Sequence, residues 1–171
     1  MKRLLFNFAV GVVLALGVSA CGFHLRTDAA VALDLKSIYI DGGESDPELV
    51  GELIDAFERS QVEVSEQKRD VNYVLKLDEL ESKRTVLSVG SGGNAAEFQL
   101  LLRVGFTLEN AQSKQSSVPQ IVEVQREQTN DDTAVLAVTD EQAQLFSEMR
   151  RDAVREILRR VQRATQKLNA T

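Results

Sequence analysis

The sequence contains very few of the residues from which enzymes and metal sites are built. Its 171 residues include one cysteine, one histidine, two prolines and no tryptophan. A single cysteine excludes an internal disulfide and a thiolate metal cluster, and a single histidine excludes ligation by two or three imidazoles. A catalytic triad would have to use His24, which lies three residues after the cysteine. The usual residues of hydrolases and metalloenzymes are therefore nearly absent, and we expect no metal and no cofactor.

Basic residues are fewer than acidic ones. The chain has 20 Lys+Arg against 26 Asp+Glu, a net charge of −6, which argues against a nucleic-acid-binding protein. Its glycine-rich stretch at 90–94 leads into a predicted strand, whereas a phosphate-binding loop leads into a helix. We therefore interpret 90–94 as a hairpin turn, where Gly and Asn tolerate positive φ. The length predicts one domain at roughly 150 residues per domain.

The first twenty residues have the layout of an export signal. Two cations at positions 2 and 3 precede an apolar run at 4–18, which is shorter than the ~20 residues that span a bilayer. Small residues follow, and the run at 18–21, Val-Ser-Ala-Cys, resembles the bacterial lipobox. This pattern predicts a lipoprotein signal peptide over 1–20, with cleavage before a lipidated Cys21. The alternative is a soluble periplasmic protein with a spare thiol, which an oxidising compartment disfavours.

The residue after the predicted acylation site indicates which of the two bacterial membranes holds the anchor. Position 22 is Gly rather than the Asp associated with retention in the inner membrane, so we expect the outer membrane. A multiply acylated cysteine anchors stably, whereas one acyl chain anchors only marginally. We expect residues 21–36 to form a lipid-anchored lead-in segment before a single domain at 37–171.

Hydrophobic periodicity predicts a two-layer α+β domain. Apolar residues occupy every second position from Phe98 to Leu108, which is typical of a half-buried strand. Asp46 followed by Pro47 indicates a helix N-terminus. We predict two helices packed on one face of a four-stranded mixed sheet. The predicted helices are at 47–60 and 140–168, and the predicted strands are at 37–41, 73–89 with a polar middle, 98–108 and 121–126.

The last predicted helix is strongly basic. Residues 150–167 hold seven cations and two anions, and five of the cations recur every fourth residue on one face. We expect nearby acids to offset only the first part of this series, with nothing local opposite its last four cations, Arg159, Arg160, Arg163 and Lys167. Two interpretations stay open. Cations near a helix C-terminus are favoured by the macrodipole, or the face meets an anionic ligand or an acidic partner.

Three stretches resemble one family. Residues 21–26, Cys-Gly-Phe-His-Leu-Arg, are similar to the mature N-terminus of the LptE (RlpB) family of lipopolysaccharide-assembly lipoproteins. The Ala-Glu-Phe-Gln run at 96–99 resembles the start of a central strand in that family, and 148–160 resembles its C-terminal helix. The resemblance covers the mature chain in the same element order, and the family fold agrees with the predicted two-layer domain.

The resemblance implies a binding role rather than catalysis. In the family the lipoprotein is a plug inside the outer-membrane β-barrel LptD, and the pair assembles lipopolysaccharide into the outer leaflet. The implied partners are therefore LptD, lipopolysaccharide and the outer membrane, reached from its periplasmic side. In the family, two basic residues are proposed to contact lipopolysaccharide. Their positions align with Ser91 and Ser147 here, and neither residue is basic. The nearby cations are our candidate lipopolysaccharide-binding residues: Lys83, Arg84, Arg150 and Arg151.

Two other functions stay open at this point. The first is a lipoprotein adaptor or auxiliary of another envelope lipid-transport complex, which co-purification with a different partner would reveal. The second is an envelope hydrolase, which would need a pocket containing carboxyl groups with strongly shifted pKa values.

Overall fold

The computed structural model describes residues 33, 35–129 and 135–170, with the backbone alone for 135–139. The predicted signal peptide at 1–20 and Cys21 lie outside these residues. The described chain folds into five strands and two helices. Their bounds are β1 Ser37–Asp41, α1 Pro47–Arg59, β2 Glu63–Val64, β3 Tyr73–Val89, β4 Ala95–Asn110, β5 Gln120–Thr129 and α2 Val135–Asn169.

The strands form one mixed sheet in the order β2-β1-β3-β4-β5. The strand β1 runs parallel to β2 and to β3, while β3, β4 and β5 form an antiparallel meander. The predicted two-layer α+β fold is confirmed, but the predicted strand count of four is wrong. The missed strand β2 has two residues, which pair with Ser37 and Ile38. Two residues are too few to show a period of two in sequence.

The central strand β4 has the predicted buried face. Its six even-numbered side chains from Phe98 to Leu108 are at most 9% exposed. The five from Leu100 to Leu108 join one core with the buried residues of α1 and α2, so both helices pack on this face of the sheet. Because side chains alternate along a strand, the odd-numbered residues point to the other face, which no described helix covers.

The helix α1 begins where the sequence predicts. The Asp46 side chain accepts a hydrogen bond from the backbone N–H of Leu49 at 3.0 Å, and Pro47 occupies the first turn. This contact satisfies one of the N–H groups that the first turn leaves unpaired. Leu49, Leu53 and Phe57 lie on one side of the helix and are fully buried.

A tight turn leads from β1 towards α1. Gly42 and Gly43 both have positive φ, +92° and +95°. A Cβ atom on Gly43 would lie 2.5 Å from Cγ2 of Val50 and 2.8 Å from Cδ1 of Leu77. Glycine is therefore required in this turn for two reasons, the positive φ of the backbone and the close approach of α1 to β3.

The helix α2 carries the predicted apolar stripe. Met149, Ala153, Ile157 and Val161 are fully buried against the sheet. At 1.5 Å per residue, its 35 residues span about 52 Å. It begins at Val135, five residues before the predicted start, because the apolar run at 135–138 has no helical spacing from which a start can be inferred.

The strands β3 and β4 extend together into a long hairpin. The Gly90 N–H donates to the Asn94 carbonyl oxygen at 2.8 Å, and Gly93 has a φ of +84°. The prediction of a hairpin turn at 90–94 is thus confirmed.

One edge of this hairpin is open over most of its length. The strand β1 pairs with β3 only from Tyr73 to Lys76. From Leu77 onwards, no strand in the described part of the chain lies along that edge of β3. Apolar side chains near the tip are exposed to solvent: Val86, Leu87 and Val89.

Candidate functional site

The two candidate cations on β3 lie on opposite faces of the sheet. Lys83 pairs in register with Leu101, on the face away from the helices. Arg84 pairs with Leu100, on the helix side, and its guanidinium carbon lies 3.4 Å above the centroid of the Phe98 ring. An exposed cation–π contact of this kind contributes about 0.5–1 kcal/mol. The contact holds the Arg84 guanidinium at the hairpin end of the domain.

The two candidate cations on α2 have different environments. Arg150 has only 13% of its side chain exposed and forms ion pairs with Asp46, at 3.8 Å, and with Glu48. Because Asp46 also caps α1, Arg150 ties the middle of α2 to the start of α1. Arg151 is exposed, and its Nη2 donates to the Ser147 hydroxyl at 3.2 Å.

A small cleft lies between the hairpin and the helices. Its volume is about 260 Å³, and it is lined by Ser45, Asp46, Leu80, Glu81, Ser82 and Leu102. Asp46 in one wall contacts Arg150, and Ser82 in the other wall shares the helix-side face of β3 with Arg84. Arg150 therefore contacts a residue of one wall, and Arg84 lies two residues along β3 from a residue of the other. The volume of the cleft is below the about 300–1,000 Å³ of typical small-molecule pockets, and two of its six lining residues, Asp46 and Glu81, are acids.

The four candidates do not share one face of the described domain. Arg84 is on the helix side of the hairpin, and Arg150 and the exposed Arg151 follow each other on α2. Lys83 is on the other side of the sheet, which the alternation of side chains along β3 dictates. The sequence analysis missed Ser45 and Ser82 as cleft residues, and no pattern in the sequence marks them.

The basic face of α2 is better compensated than the sequence predicts. Glu156 lies within 4 Å of three guanidinium groups, those of Arg159, Arg160 and Arg163. The expectation that nothing local lies opposite these cations is therefore wrong. It fails because one carboxylate at the centre of a helical face reaches residues three, four and seven positions further on. In the same way, Asp152 pairs with Arg155 and with Arg126 of β5.

The contacts of Glu156 with several arginines lower the pKa of its carboxyl group. Burial acts to raise the pKa of Glu156, but hydrogen bonds from Arg160 and Arg159 outweigh it, so the pKa lies below its ordinary value of 4.5. Arg160 also donates to the Ile121 carbonyl oxygen of β5 at 2.7 Å. Glu156 therefore helps to fix α2 to the sheet.

The stability of the protein should reflect this shift at acidic pH. A carboxyl group with a lowered folded-state pKa stabilises the fold fully above its unfolded value of 4.5 and loses that contribution as pH falls through the folded value. Because Glu156 is partly exposed, we expect about 1 kcal/mol or less. In thermal unfolding at a series of pH values, Glu156→Gln should lose less stability than the wild type between neutral and acidic pH. Parallel profiles for the two proteins would contradict this role.

The described residues also bear on metal and membrane sites. Across 35–129 and 135–170, no three His, Cys, Asp or Glu side chains are grouped so as to hold a metal ion. Among the helices of the described chain, none is long and apolar enough to cross a membrane.

Comparison with known proteins relates this chain to one family of bacterial lipoproteins. The family model described as LptE, lipopolysaccharide-assembly, matches residues 35–161. The LPS-assembly lipoprotein LptE of Pectobacterium atrosepticum is 25% identical over 163 residues, covering 94% of this chain and 86% of that protein.

Solved structures of bacterial lipoproteins share the fold. The rare lipoprotein B of Shewanella oneidensis is 26% identical, with a TM-score of 0.65 over 79% of this chain and 98% of that one. An uncharacterised lipoprotein B of Nitrosomonas europaea is 24% identical, with a TM-score of 0.69 over 85% and 93%. The family has a non-enzymatic role in lipopolysaccharide assembly and no known cofactor. With the match extending from Leu35 to Val161, this chain belongs to the LptE family of lipopolysaccharide-assembly lipoproteins.

Proposed function

We propose that the mature chain is a plug within an LptD β-barrel of the outer membrane and binds lipopolysaccharide during its assembly into the outer leaflet. The observation that carries this proposal is the family match, which extends over both layers of the domain. The polar, charge-rich surface supports it, since the lumen of a large membrane barrel is wet and polar.

The same proposal includes the anchor. Residues 1–20 are removed as a signal peptide, Cys21 is acylated, and 21–36 lead from the lipid to the domain at 37–171. The lipobox-like sequence before Cys21 supports this, and Gly22 favours the outer membrane. The protein then lies on the periplasmic side, held by its acyl chains.

For lipopolysaccharide, we propose a surface at the hairpin end of the domain. Arg84 and Arg151 supply guanidinium groups, which recognise phosphate through paired N–H donors, and Lys83 adds charge on the opposite face of the same hairpin. Arg150 precedes Arg151 on α2, but two carboxylates already engage it. Its role is to position α2 against α1.

Detergent extraction of the native lipoprotein, followed by mass identification of what co-purifies, tests the proposal as a whole. We expect an LptD barrel, together with a mature N-terminal mass that includes acyl groups on Cys21. Recovery of a different lipid-transport complex would support the adaptor function instead. An unmodified Cys21 thiol would remove the proposed anchor.

The lipopolysaccharide surface has a separate test. Because each lost charge-assisted contact weakens phosphate binding, Lys83→Gln, Arg84→Gln and Arg151→Gln together should weaken lipopolysaccharide binding about tenfold at low salt. The loss should shrink at high salt, where such contacts are screened. Arg150 is left intact so that the α1–α2 contact persists. Neutralising three exposed cations elsewhere, Lys36, Arg69 and Lys114, is the matched control. Equal weakening in both triple variants would contradict a specific surface.

A further inference from the structure

Phe98 is buried, yet it lies outside the hydrophobic core that the two helices share with the sheet. Its side chain is 9% exposed, but the core includes β4 only from Leu100 onwards. Of the six inward-facing residues from Phe98 to Leu108, it is the one nearest the hairpin turn. Its neighbours in register are Val86 of β3, which is exposed, and Gln128 of β5, which is polar. The burial of the Phe98 ring therefore depends on neighbours outside that core.

One of these neighbours is Arg84, whose guanidinium covers a face of the ring. The central carbon of the guanidinium lies 3.4 Å from the ring centroid. Because Arg84 pairs in register with Leu100, it is the diagonal neighbour of Phe98 on the helix side of the sheet. A diagonal separation of about 7–8 Å is within reach of a long side chain. The pairing of β3 with β4 thus brings the guanidinium over the ring.

The hydrogen-bond donors of Arg84 are not used elsewhere in the described chain. Across 35–129 and 135–170, no residue forms an ion pair or a hydrogen bond with its side chain. At 3.4 Å the guanidinium must lie flat on the ring, since an edge-on approach would force one of its nitrogen atoms into the ring. The N–H groups around the edge of the guanidinium therefore stay available to a ligand.

A guanidinium held in this way is well suited to phosphate. Its planar fork donates two parallel hydrogen bonds to a pair of phosphate oxygens. A free Arg side chain loses rotamer freedom when it binds a ligand, and this loss weakens binding. Stacking on a ring that is fixed within the sheet restricts the side chain before the ligand arrives. Less freedom is then lost on binding, so the affinity is higher.

We propose that Phe98 is a positioning residue for lipopolysaccharide, whose ring holds the Arg84 guanidinium ready for a phosphate group of that ligand. The inference rests on the proposed lipopolysaccharide surface at the hairpin end. Phe98 acts through Arg84 and does not touch the ligand. Lys83 has no such support, because it lies on the opposite face of the sheet beside Leu101. Of the two adjacent cations on β3, Arg84 is therefore the pre-ordered one.

A double-mutant cycle between Phe98 and Arg84 tests the inference. It uses the mature chain with Cys21→Ser, which should fold because the core of the described chain begins at Leu35. Affinity for purified lipopolysaccharide is measured at low salt. An exposed cation–π contact strengthens an interaction about two- to fivefold, so Phe98→Leu should weaken binding by that factor. The double variant with Arg84→Gln should bind no more weakly than Arg84→Gln alone, because the ring acts only through the guanidinium.

The matched control is Phe106→Leu, the same change on the same face of β4. Phe106 is fully buried, and its neighbours in register are Leu77 and Gln120. This variant should lower the melting temperature and leave lipopolysaccharide affinity unchanged. Phe98→Tyr keeps the aromatic ring and should bind like the parent protein. Equal losses of affinity in the two leucine variants would overturn the inference, because the effect would then come from the stability of the fold.

The stacking also has a spectroscopic signature that needs no ligand. The ring current of Phe98 should shift the NMR resonances of the Arg84 side chain upfield, and Phe98→Leu should abolish that shift while Phe106→Leu keeps it. An Arg84 signal that does not respond to Phe98→Leu would contradict the stacking on which the inference depends.

The remaining outcomes separate the inference from the proposed surface and from the choice of phosphate. If Arg84→Gln leaves lipopolysaccharide binding unchanged, the proposed surface fails at Arg84 and the inference fails with it. If Arg84→Gln weakens binding while Phe98→Leu does not, the surface stands and the inference alone is overturned, as it would be by additive losses in the double variant. With dephosphorylated lipopolysaccharide, Phe98→Leu should bind like the parent protein. A loss that persists there would overturn the assignment to phosphate.

Discussion

Val104→Asp should unfold the protein or cost about 4 kcal/mol or more of its free energy of unfolding. Val104 is fully buried in β4, and its cross-strand neighbours are Leu80 and Val122. A carboxylate at this position would be buried among apolar side chains, and no described neighbour in register offers it a positive charge. Chemical denaturation of the purified variant measures the loss.

The matched control is the same kind of substitution on the other face of β4. Leu101 is half-buried on the uncovered side of the sheet and pairs in register with Lys83. An aspartate there would face solvent and a cation, so we expect Leu101→Asp to cost about 1 kcal/mol or less. Similar losses in the two variants would contradict the placement of both helices on one face.

Gly43→Ala should be strongly destabilising. It combines a φ of +95° with contacts of 2.5 Å to Val50 and 2.8 Å to Leu77. The backbone strain costs about 1–3 kcal/mol by itself. Separating α1 from β3 to make room adds a further loss, since overpacking a core typically costs about 1–3 kcal/mol.

The opposite sign is expected one turn into α1. Gly51 is exposed within the helix, and an added Cβ would meet nothing within 4 Å. Alanine there should stabilise the protein by about 0.5–1 kcal/mol, because glycine is a poor helix former. Thermal melting of the two alanine variants should therefore give shifts in opposite directions. A loss of stability in Gly51→Ala would contradict the described exposure of this side of α1.

The sequence was sufficient wherever a local pattern determines the structure. The alternation from Phe98 to Leu108 predicted the central strand and its buried face. The pair Asp46 and Pro47 predicted the start of α1, and the glycines at 90–94 predicted the hairpin. In each case the physical cause acts within a few residues, through strand alternation, helix capping or a turn conformation.

Pairings between distant residues were beyond the sequence. The strand β2 exists only because Glu63 and Val64 lie beside β1, and no propensity of two residues specifies that. The ion pairs of Arg150 join residues about a hundred positions apart, so no pattern in the sequence predicts them. The cleft walls at Ser45 and Ser82 likewise meet only through the fold.

The open edge of β3 creates a hazard of self-association that its own sequence limits. Unpaired N–H and C=O groups along a strand can recruit a strand of another chain, and the apolar tip at Val86 to Val89 would add to the attraction. Lys83 and Arg84 interrupt this edge midway. If two such edges met, these cations would have to be desolvated beside the incoming strand, which is costly. Natural sheets place charged residues on their edge strands as protection against aggregation. The two residues therefore favour the soluble, unaggregated state of the lipoprotein before it reaches any partner, whatever ligand they later bind.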